Sequence, residues 1–185
     1  KQKLPKVSML TGKKGSGKST LINHFLFSIF DNKNYDSKNF KLQNNSNLSH
    51  QLKNNIFPNI IYLKGSNYKS VKIEDVRELK KKISKSAILN EDRFVVLDDV
   101  EVFNLNSLNA LLKLIEEPGN KNYFFLINNK TKPVIETIKS RSIEINILLN
   151  EIDRLEIIKE LINIHNITPC IDPKESLLSP GDFIK

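Results

Sequence analysis

The feature that most constrains this chain is a glycine-rich loop near its start, between an apolar run and a predicted helix. Residues 12–19 read G-K-K-G-S-G-K-S and fit the pattern G-x-x-x-x-G-K-S, which predicts a loop whose backbone N–H groups wrap a phosphate. The run 6–10 predicts a strand before the loop, and 21–30 predicts a helix after it, whose N-terminus attracts an anion. The loop therefore predicts a nucleotide site; the alternative is a loop that keeps its shape without a ligand.

Two side chains of this loop have distinct chemical tasks. Lys18 is predicted to reach the β- and γ-phosphates, and the Ser19 hydroxyl is predicted to bind Mg²⁺. We therefore expect ATP and Mg²⁺ as ligands. The residues expected to bind the nucleotide are Gly12, Gly15, Ser16, Gly17, Lys18, Ser19 and Thr20.

Strand and helix signals alternate along most of the chain. Apolar runs predict four further strands, at 58–64, 93–100, 123–129 and 143–147. Ser70 begins a predicted helix to about Ser86, and Asn106 begins another that ends before Pro118. The segment 31–55 has little periodicity and is predicted to be a loop with room for a short helix. This alternation predicts an α/β domain with a five-stranded parallel sheet between helices.

The sequence becomes helical in character after residue 148. Asn150 is predicted to cap an amphipathic helix that runs to about Ile164. We therefore predict a nucleotide-binding domain over residues 1–148 and the start of a helical domain over residues 149–185.

Acidic and amide side chains end two of the predicted strands. Asp98 and Asp99 end the run V-V-L-D-D, where a carboxylate beside the phosphate loop can complete the Mg²⁺ shell with Ser19, and Asp98 is the metal candidate. Asp99 is the predicted residue for polarising the attacking water, although many such ATPases have the longer Glu there. Asn128 and Asn129 end the next strand, and Asn128 is the candidate for orienting the water or sensing the γ-phosphate. The alternative for all four is a purely turn-forming role.

One arginine stands between a predicted helix and the fifth predicted strand, in the run T-I-K-S-R-S. Arg141 is thereby held between two rigid elements. It lies far along the chain from the phosphate loop, so the sequence gives no reason for it to serve its own nucleotide. Its charge either forms a surface ion pair or points at a separate ligand.

Composition sets the class of protein. The chain is 39% hydrophobic and 27% charged, as ordinary globular proteins are. A net charge of +8 permits contact with nucleic acid, although a simple compositional bias toward lysine also produces such a charge.

Cys170 is the only cysteine, so there is no internal disulfide and no cysteine cluster for zinc. No apolar run has membrane-spanning length and no signal-peptide pattern opens the chain, so we expect a cytoplasmic protein. Because the chain begins with Lys1, we expect a piece of a longer protein.

Several motifs together resemble the clamp-loader subunits of bacterial DNA polymerase III, and most of all the delta-prime type. The resemblance covers most of residues 4–147 and thins over 31–57. Its most specific part is N-x-x-x-x-N-A-L-L-K-x-x-E-E-P at 104–118, followed by T-I-x-S-R at 137–141. The other motifs, in chain order, are L-T-G-K-K-G-S-G-K-S-T-L, I-E-D-V-R-E-L-K-K-K-I, V-V-L-D-D-V-E and F-F-L-I-N-N.

The resemblance implies an AAA+ ATPase fold, in which residues 149–185 begin a small helical lid and a collar domain is missing. It implies a place beside gamma/tau and delta subunits in a hetero-oligomeric ring that loads the sliding clamp on primed DNA. In such rings the gamma/tau subunits hydrolyse ATP, and the delta-prime subunit is a stator that supplies an arginine to its neighbour. Arg141 matches that arginine, as a finger acting in trans.

The chain also departs from the family pattern. The box Asp98-Asp99-Val100-Glu101 replaces D-E-A-D, and the zinc module of many relatives is absent. Ser142 stands in place of the usual cysteine, and Asp182 stands where an arginine often follows the lid glycine. An intact phosphate loop is unusual for some delta-prime proteins. The sequence therefore favours a stator that binds ATP over an active gamma/tau-type ATPase, and either over an unrelated P-loop ATPase or kinase.

Overall fold

The computed structural model describes residues 4–42, 46–54, 56–65, 71–84 and 92–185. The strands are β1 (Val7–Thr11), β2 (Tyr35–Asp36), β3 (Lys41–Leu42), β4 (Ile60–Lys64), β5 (Arg93–Asp98), β6 (Asn122–Asn128) and β7 (Ile143–Asn146). The helices are α1 (Lys18–Phe30), α2 (Asn47–Lys53), α3 (Ile73–Ser84), α4 (Leu105–Glu116), α5 (Glu136–Lys139), α6 (Glu151–His165) and α7 (Pro180–Phe183). Among these helices, none is both long and apolar enough to cross a bilayer.

The main sheet has five parallel strands in the order β4-β5-β6-β1-β7, which confirms the predicted sheet. Because all five strands run the same way, their carboxyl ends form one edge. Thr11 at the end of β1 is in register with Asn128 at the end of β6, and Lys64 at the end of β4 is in register with Asp98 at the end of β5. The topology therefore collects the predicted site residues from β1, β5 and β6 at one edge.

Successive side chains of the central strands point to opposite faces of the sheet and belong to two apolar layers. On one face, Phe94, Val96, Phe125 and Ile127 pack with the buried side of α1. On the other, Val95, Leu97, Phe124 and Leu126 pack with α3, α4 and α5. Burial on both faces explains why these strands read as continuous apolar runs rather than as alternating patterns. The edge strand β7 differs, since all four of its residues are exposed.

Several predicted boundaries move in the structure. The helix predicted from Asn106 begins at Leu105, because Asn104 is its N-cap and its Oδ1 accepts a hydrogen bond from the Ser107 amide at 2.8 Å. The third predicted strand ends at Asp98 rather than residue 100, because Asp99 has a left-handed backbone (φ 58°) and a short 3-10 helix follows over Val100–Val102.

The segment 31–55, for which the sequence predicted little secondary structure, contains strands and a helix. Within 31–55 the structure places the β2–β3 hairpin and α2, so the short helix is confirmed and the hairpin is an addition. The predicted start of α3 at Ser70 lies outside the described residues; the described helix begins at Ile73. Asn150 caps α6 as predicted, through its Oδ1 and the Asp153 amide at 2.8 Å. The chain after β7 is helical, and the predicted boundary at 148 stays a prediction.

Candidate nucleotide site

The phosphate loop joins β1 to α1 and depends on glycine at three positions. Gly15 and Gly17 have positive φ angles of 75° and 87°, a region that side chains with a Cβ rarely adopt. Gly12 has another reason, because a Cβ there would lie 2.6 Å from the carbonyl oxygen of Ile147. Gly17 is the N-cap of α1 and gives it no side-chain hydrogen bond. The first turn of α1 therefore presents N–H groups that a phosphate can accept from.

Lys18 is buried inside this loop. Its Nζ donates to the carbonyl oxygens of Gly12 at 2.8 Å and Lys13 at 2.6 Å. Burial lowers the pKa of Lys18, and the nearby carboxylates of Asp98, Glu101 and Asp99 oppose that shift in this order. The Lys18 ammonium therefore feels these three carboxylates electrostatically, while its hydrogen bonds go to backbone carbonyl oxygens.

Three acidic side chains near Lys18 form what is called the acidic cluster here: Asp98 at the end of β5, Asp99 directly after it, and Glu101 in the 3-10 helix. Asp98, Asp99 and Glu101 are all buried. Burial raises the pKa of Asp98, and repulsion from Asp99 raises it further, while the Asp99 amide donates to Asp98 Oδ1 at 2.9 Å. A buried carboxylate with a raised pKa gains from a nearby cation.

The two asparagines at the end of β6 have different surroundings. The side-chain Nδ2 of Asn129 donates to Asp99 Oδ1 at 2.6 Å, and the backbone N–H of Asn129 donates to Glu101 Oε1 at 3.0 Å. Asn128 Oδ1 instead accepts a hydrogen bond from the backbone amide of Lys130 at 2.9 Å. This bond stabilises a local turn, which is the alternative role that the sequence left open for Asn128. Asn129, rather than the predicted Asn128, is the asparagine whose side chain contacts the acidic cluster. A direct role for Asn128 toward nucleotide stays a prediction.

The donor set fits a magnesium–nucleotide complex. Asp98 lies close enough to Lys18 to affect its pKa, and Ser19 follows Lys18 in the first turn of α1. Among the residues that the structure describes, Glu101 Oε2 and Thr11 Oγ1 are buried at this edge of the sheet and have no hydrogen-bond partner. Carboxylate and hydroxyl oxygens are the ligands that Mg²⁺ prefers, and a cation also offsets the cost of burying such oxygens.

A cleft of about 560 Å³ opens beside the loop. One wall is the run Gly15–Leu21, which includes the predicted Ser16, Ser19 and Thr20. The other wall is apolar and comes from the helical part of the chain: Leu149, Ile157, Leu161, Pro180 and Ile184. Polar groups at one end and apolar groups at the other match the phosphates and the base of a nucleotide.

The sequence did not predict the contacts that the C-terminal residues make with the loop, or those that α6 makes with the C-terminal residues. The Gly181 amide donates to the Gly15 carbonyl at 3.0 Å, and Lys13 Nζ donates to the Leu177 carbonyl at 3.1 Å. Arg154 of α6 is buried and holds the same segment through backbone carbonyls. The only sequence signal was an arginine in the first turn of a capped helix, which is common on surfaces.

Arg141 lies apart from this site. It follows α5, its guanidinium pairs with Glu116 at 2.8 Å, and it donates to the Thr137 carbonyl at 3.0 Å. Its side chain is 38% exposed. The structure therefore contains the surface ion pair that was the alternative interpretation, and leaves the guanidinium in reach of solvent. The role in trans stays a prediction.

Residues 1–150 match the family described as "DNA polymerase III, delta subunit". DNA polymerase III subunit delta' of Buchnera aphidicola subsp. Schizaphis graminum is 30% identical over 117 residues, which are 61% of this chain and 36% of that protein. Subunit delta' of Pseudomonas aeruginosa is 34% identical over 76 residues, which are 41% of this chain and 23% of that protein. The matched part thus spans little more than a third of these relatives at most.

Related subunits and a solved structure match as well. Proteins named as gamma and tau/gamma subunits of DNA polymerase III align with about half of this chain. The fold is similar to that of a DNA polymerase III gamma subunit-related protein from Thermotoga maritima. The TM-score is 0.58 and the identity 18%, over 85% of this chain and 47% of that protein. This match shows the fold, and it confirms the expected architecture.

Unrelated P-loop kinases are excluded by these matches, because the family match covers the phosphate loop, the acidic cluster and the segment around Arg141 together. The chain belongs to the DNA polymerase III delta-prime subunit family, within the clamp-loader group that also includes the gamma and tau subunits.

Proposed function

We propose that this chain is the nucleotide-binding part of a clamp-loader stator, which binds Mg–ATP at residues 12–20 and supplies Arg141 to a neighbouring motor subunit. One observation carries the nucleotide part: a complete phosphate loop whose buried Lys18 faces three carboxylates at the carboxyl edge of the sheet. In the proposed complex, Lys18 exchanges its bonds to the Gly12 and Lys13 carbonyls for bonds to phosphate oxygens.

Mg²⁺ is the second ligand in this proposal. Ser19 and Asp98 are the residues that would hold it, and the ion would neutralise charge on the phosphates. Asp98 supports this role because its ionised form is costly to bury without a cation. The apolar wall of the cleft accepts the base.

Weak hydrolysis by this subunit alone is part of the proposal. The candidate base Asp99 is one methylene shorter than Glu, and its Oδ1 accepts a 2.6 Å hydrogen bond from Asn129. The Asn129 side chain thereby occupies one oxygen of the Asp99 carboxylate, so fewer lone pairs are free to orient an attacking water. We expect the site to bind ATP and turn it over slowly.

The geometry of the sheet supports a role in trans for Arg141. Ile143 at the start of β7 is in register with Ser8 near the start of β1, so Arg141 lies beyond the amino edge of the sheet. The phosphate loop follows the opposite, carboxyl edge. At about 3.3 Å per strand residue, the two are separated by roughly 20 Å, which is too far for Arg141 to reach its own nucleotide. An exposed arginine at this position is available to a neighbouring subunit.

The proposed partners follow from the family. The chain would sit beside gamma/tau and delta subunits in a ring that acts on the sliding clamp and on primed DNA. The second candidate function is an active gamma/tau-type motor, which the intact phosphate loop and the gamma and tau relatives favour. Turnover separates the two: steady hydrolysis near the ordinary enzyme median of about 10 per second would identify the motor.

Calorimetric titration with ATP and Mg²⁺ tests the proposed site. Lys18→Ala should weaken binding by at least tenfold, because it removes the charge that faces the β- and γ-phosphates. Lys80→Ala, an exposed lysine on α3, is the matched control and should bind as the unmodified chain does. Absence of binding heat for the unmodified chain would refute the proposal, as would equal affinities for the two variants.

A further inference from the structure

Arg154 is a buried arginine whose contacts join α6 to a distant stretch of backbone. Only 7% of the residue is exposed. Its Nη1 donates to the Leu178 carbonyl at 3.0 Å, and its Nη2 donates to the Pro173 carbonyl at 2.8 Å. Both nitrogens of the planar fork are therefore used to hold the same strip of chain, which runs from Pro173 to Ile184 and is called the closing segment here.

Glu151 completes the surroundings of this arginine. Its two carboxylate oxygens accept from Nε and Nη2 of Arg154, with the Nε contact at 3.0 Å. This hydrogen-bonded pairing lowers the pKa of Glu151 and raises that of Arg154, so both groups stay charged at neutral pH. The two residues are three apart on a helix capped by Asn150, which fixes where the fork points.

The closing segment in turn lies directly on the phosphate loop. The Gly181 amide donates to the Gly15 carbonyl at 3.0 Å, and Lys13 Nζ donates to the Leu177 carbonyl at 3.1 Å. The packing is close enough that a Cβ on Gly181 would meet the Gly15 Cα at 3.0 Å. Pro180 and Ile184 of this segment form part of the apolar wall of the cleft.

We propose that Arg154 is a positioning residue for the nucleotide site: it anchors the closing segment on the phosphate loop and thereby sets the affinity for nucleotide. The effect on affinity rests on the function proposed above, whereas the anchoring does not. Arg154 acts through the segment, which carries two residues of the apolar wall and contacts the loop at Gly15.

An arginine is required for this task. The planar guanidinium reaches two carbonyl oxygens and a carboxylate at the same time, with directions fixed by its fork. A lysine has one ammonium on a flexible stem and cannot satisfy acceptors at positions 173 and 178 together with Glu151. Loss of the arginine also removes a hydrogen-bond donor from the part-buried Leu178 and Pro173 carbonyls, which favours release of the segment.

Hydrogen exchange of the nucleotide-free chain tests the anchoring. Arg154→Ala should raise the exchange rate of the Gly181 amide and of its neighbours in 177–184 at least tenfold, and Arg154→Lys should restore little. Arg77→Ala, an exposed arginine on α3, is the matched control and should leave these rates unchanged. Unchanged exchange in a folded Arg154→Ala chain would overturn the proposal.

Nucleotide titration tests the consequence with a second, independent variant. Gly181→Ala keeps Arg154 but forces the segment away from Gly15, so both Arg154→Ala and Gly181→Ala should bind Mg–ATP about tenfold more weakly. If both loosen the segment and bind nucleotide normally, the proposed role of Arg154 in affinity is wrong. If the unmodified chain binds no nucleotide, the function proposed above fails, while the exchange experiment still decides whether Arg154 anchors the segment.

Discussion

At the level of a single residue, Asp98 is a buried carboxylate whose charge affects the stability of the nucleotide-free chain. Its carboxylate is 5% exposed and next to Asp99. Because burial and this neighbour raise its pKa, the ionised form destabilises the nucleotide-free fold. That penalty is present at pH values above the folded-state pKa, and it disappears as the pH falls below the unfolded-state value. A bound cation offsets the same penalty.

Asp98→Asn should therefore stabilise the nucleotide-free chain at neutral pH. The asparagine Oδ1 can still accept from the Asp99 amide, while the buried charge is removed. Thermal unfolding should show a higher Tm for the variant at pH 7, with roughly 2–4 °C for each kcal/mol, and the difference should close on acidification. The same variant should lose the Mg²⁺ dependence of ATP binding. A Tm difference that grows toward low pH would contradict this account.

At the level of the element, the N-cap of helix α4 determines the residue at which the helix begins. Asn104 accepts from the Ser107 amide, so the first turn begins one residue before the asparagine that the sequence indicated. The following turns place Leu108, Leu111 and Ile115 in the core. The correct start matters for the site, because α4 leads directly from the 3-10 helix that carries Glu101.

Asn104→Ala should cost about 1 kcal/mol of unfolding free energy, because the first turn loses its side-chain acceptor. Asn106→Ala is the matched control, since Asn106 is exposed inside the first turn and alanine is the better helix former there. We expect the control to be neutral or slightly stabilising. Urea unfolding of the two variants measures both effects, and an equal loss for Asn106→Ala would show that the helix starts where the sequence indicated.

At the level of the whole molecule, the length of the parallel strands separates the candidate nucleotide site from Arg141. The phosphate loop, the acidic cluster and the closing segment lie at the carboxyl edge, and Arg141 lies beyond the amino edge. Parallel strands make this separation unavoidable, because every strand that ends at the nucleotide begins on the opposite side. This separation is compatible with the proposed roles, in which the chain binds nucleotide at one edge of the sheet and presents Arg141 to a neighbouring subunit at the other.

Arg141→Ala should leave this chain folded and able to bind its own nucleotide. In the assembled loader it should lower hydrolysis at the one adjacent motor site, where an arginine finger contributes roughly 10³ to 10⁵ in rate. Arg141→Lys should rescue little, because an ammonium lacks the planar fork. Arg77→Ala serves as the control for loss of an exposed arginine. Clamp loading and ATP hydrolysis at the unmodified rate in the Arg141→Ala assembly would rule out the finger.

The sequence by itself predicted the order along the chain of the five strands of the main sheet and of helices α1, α3, α4 and α6, together with the phosphate loop and Asp98 at the end of β5. These features depend on neighbours within a few positions, where periodicity, glycine and caps act directly. Only the tertiary structure decided that Asn129 rather than Asn128 contacts Asp99, a pairing across 30 positions of the chain. It also decided that the closing segment lies on Gly15 and that Arg154 anchors it. These contacts join residues that are far apart in the sequence, so local periodicity cannot predict them. The packing of the closing segment against the phosphate loop, and not local propensity, brings them together.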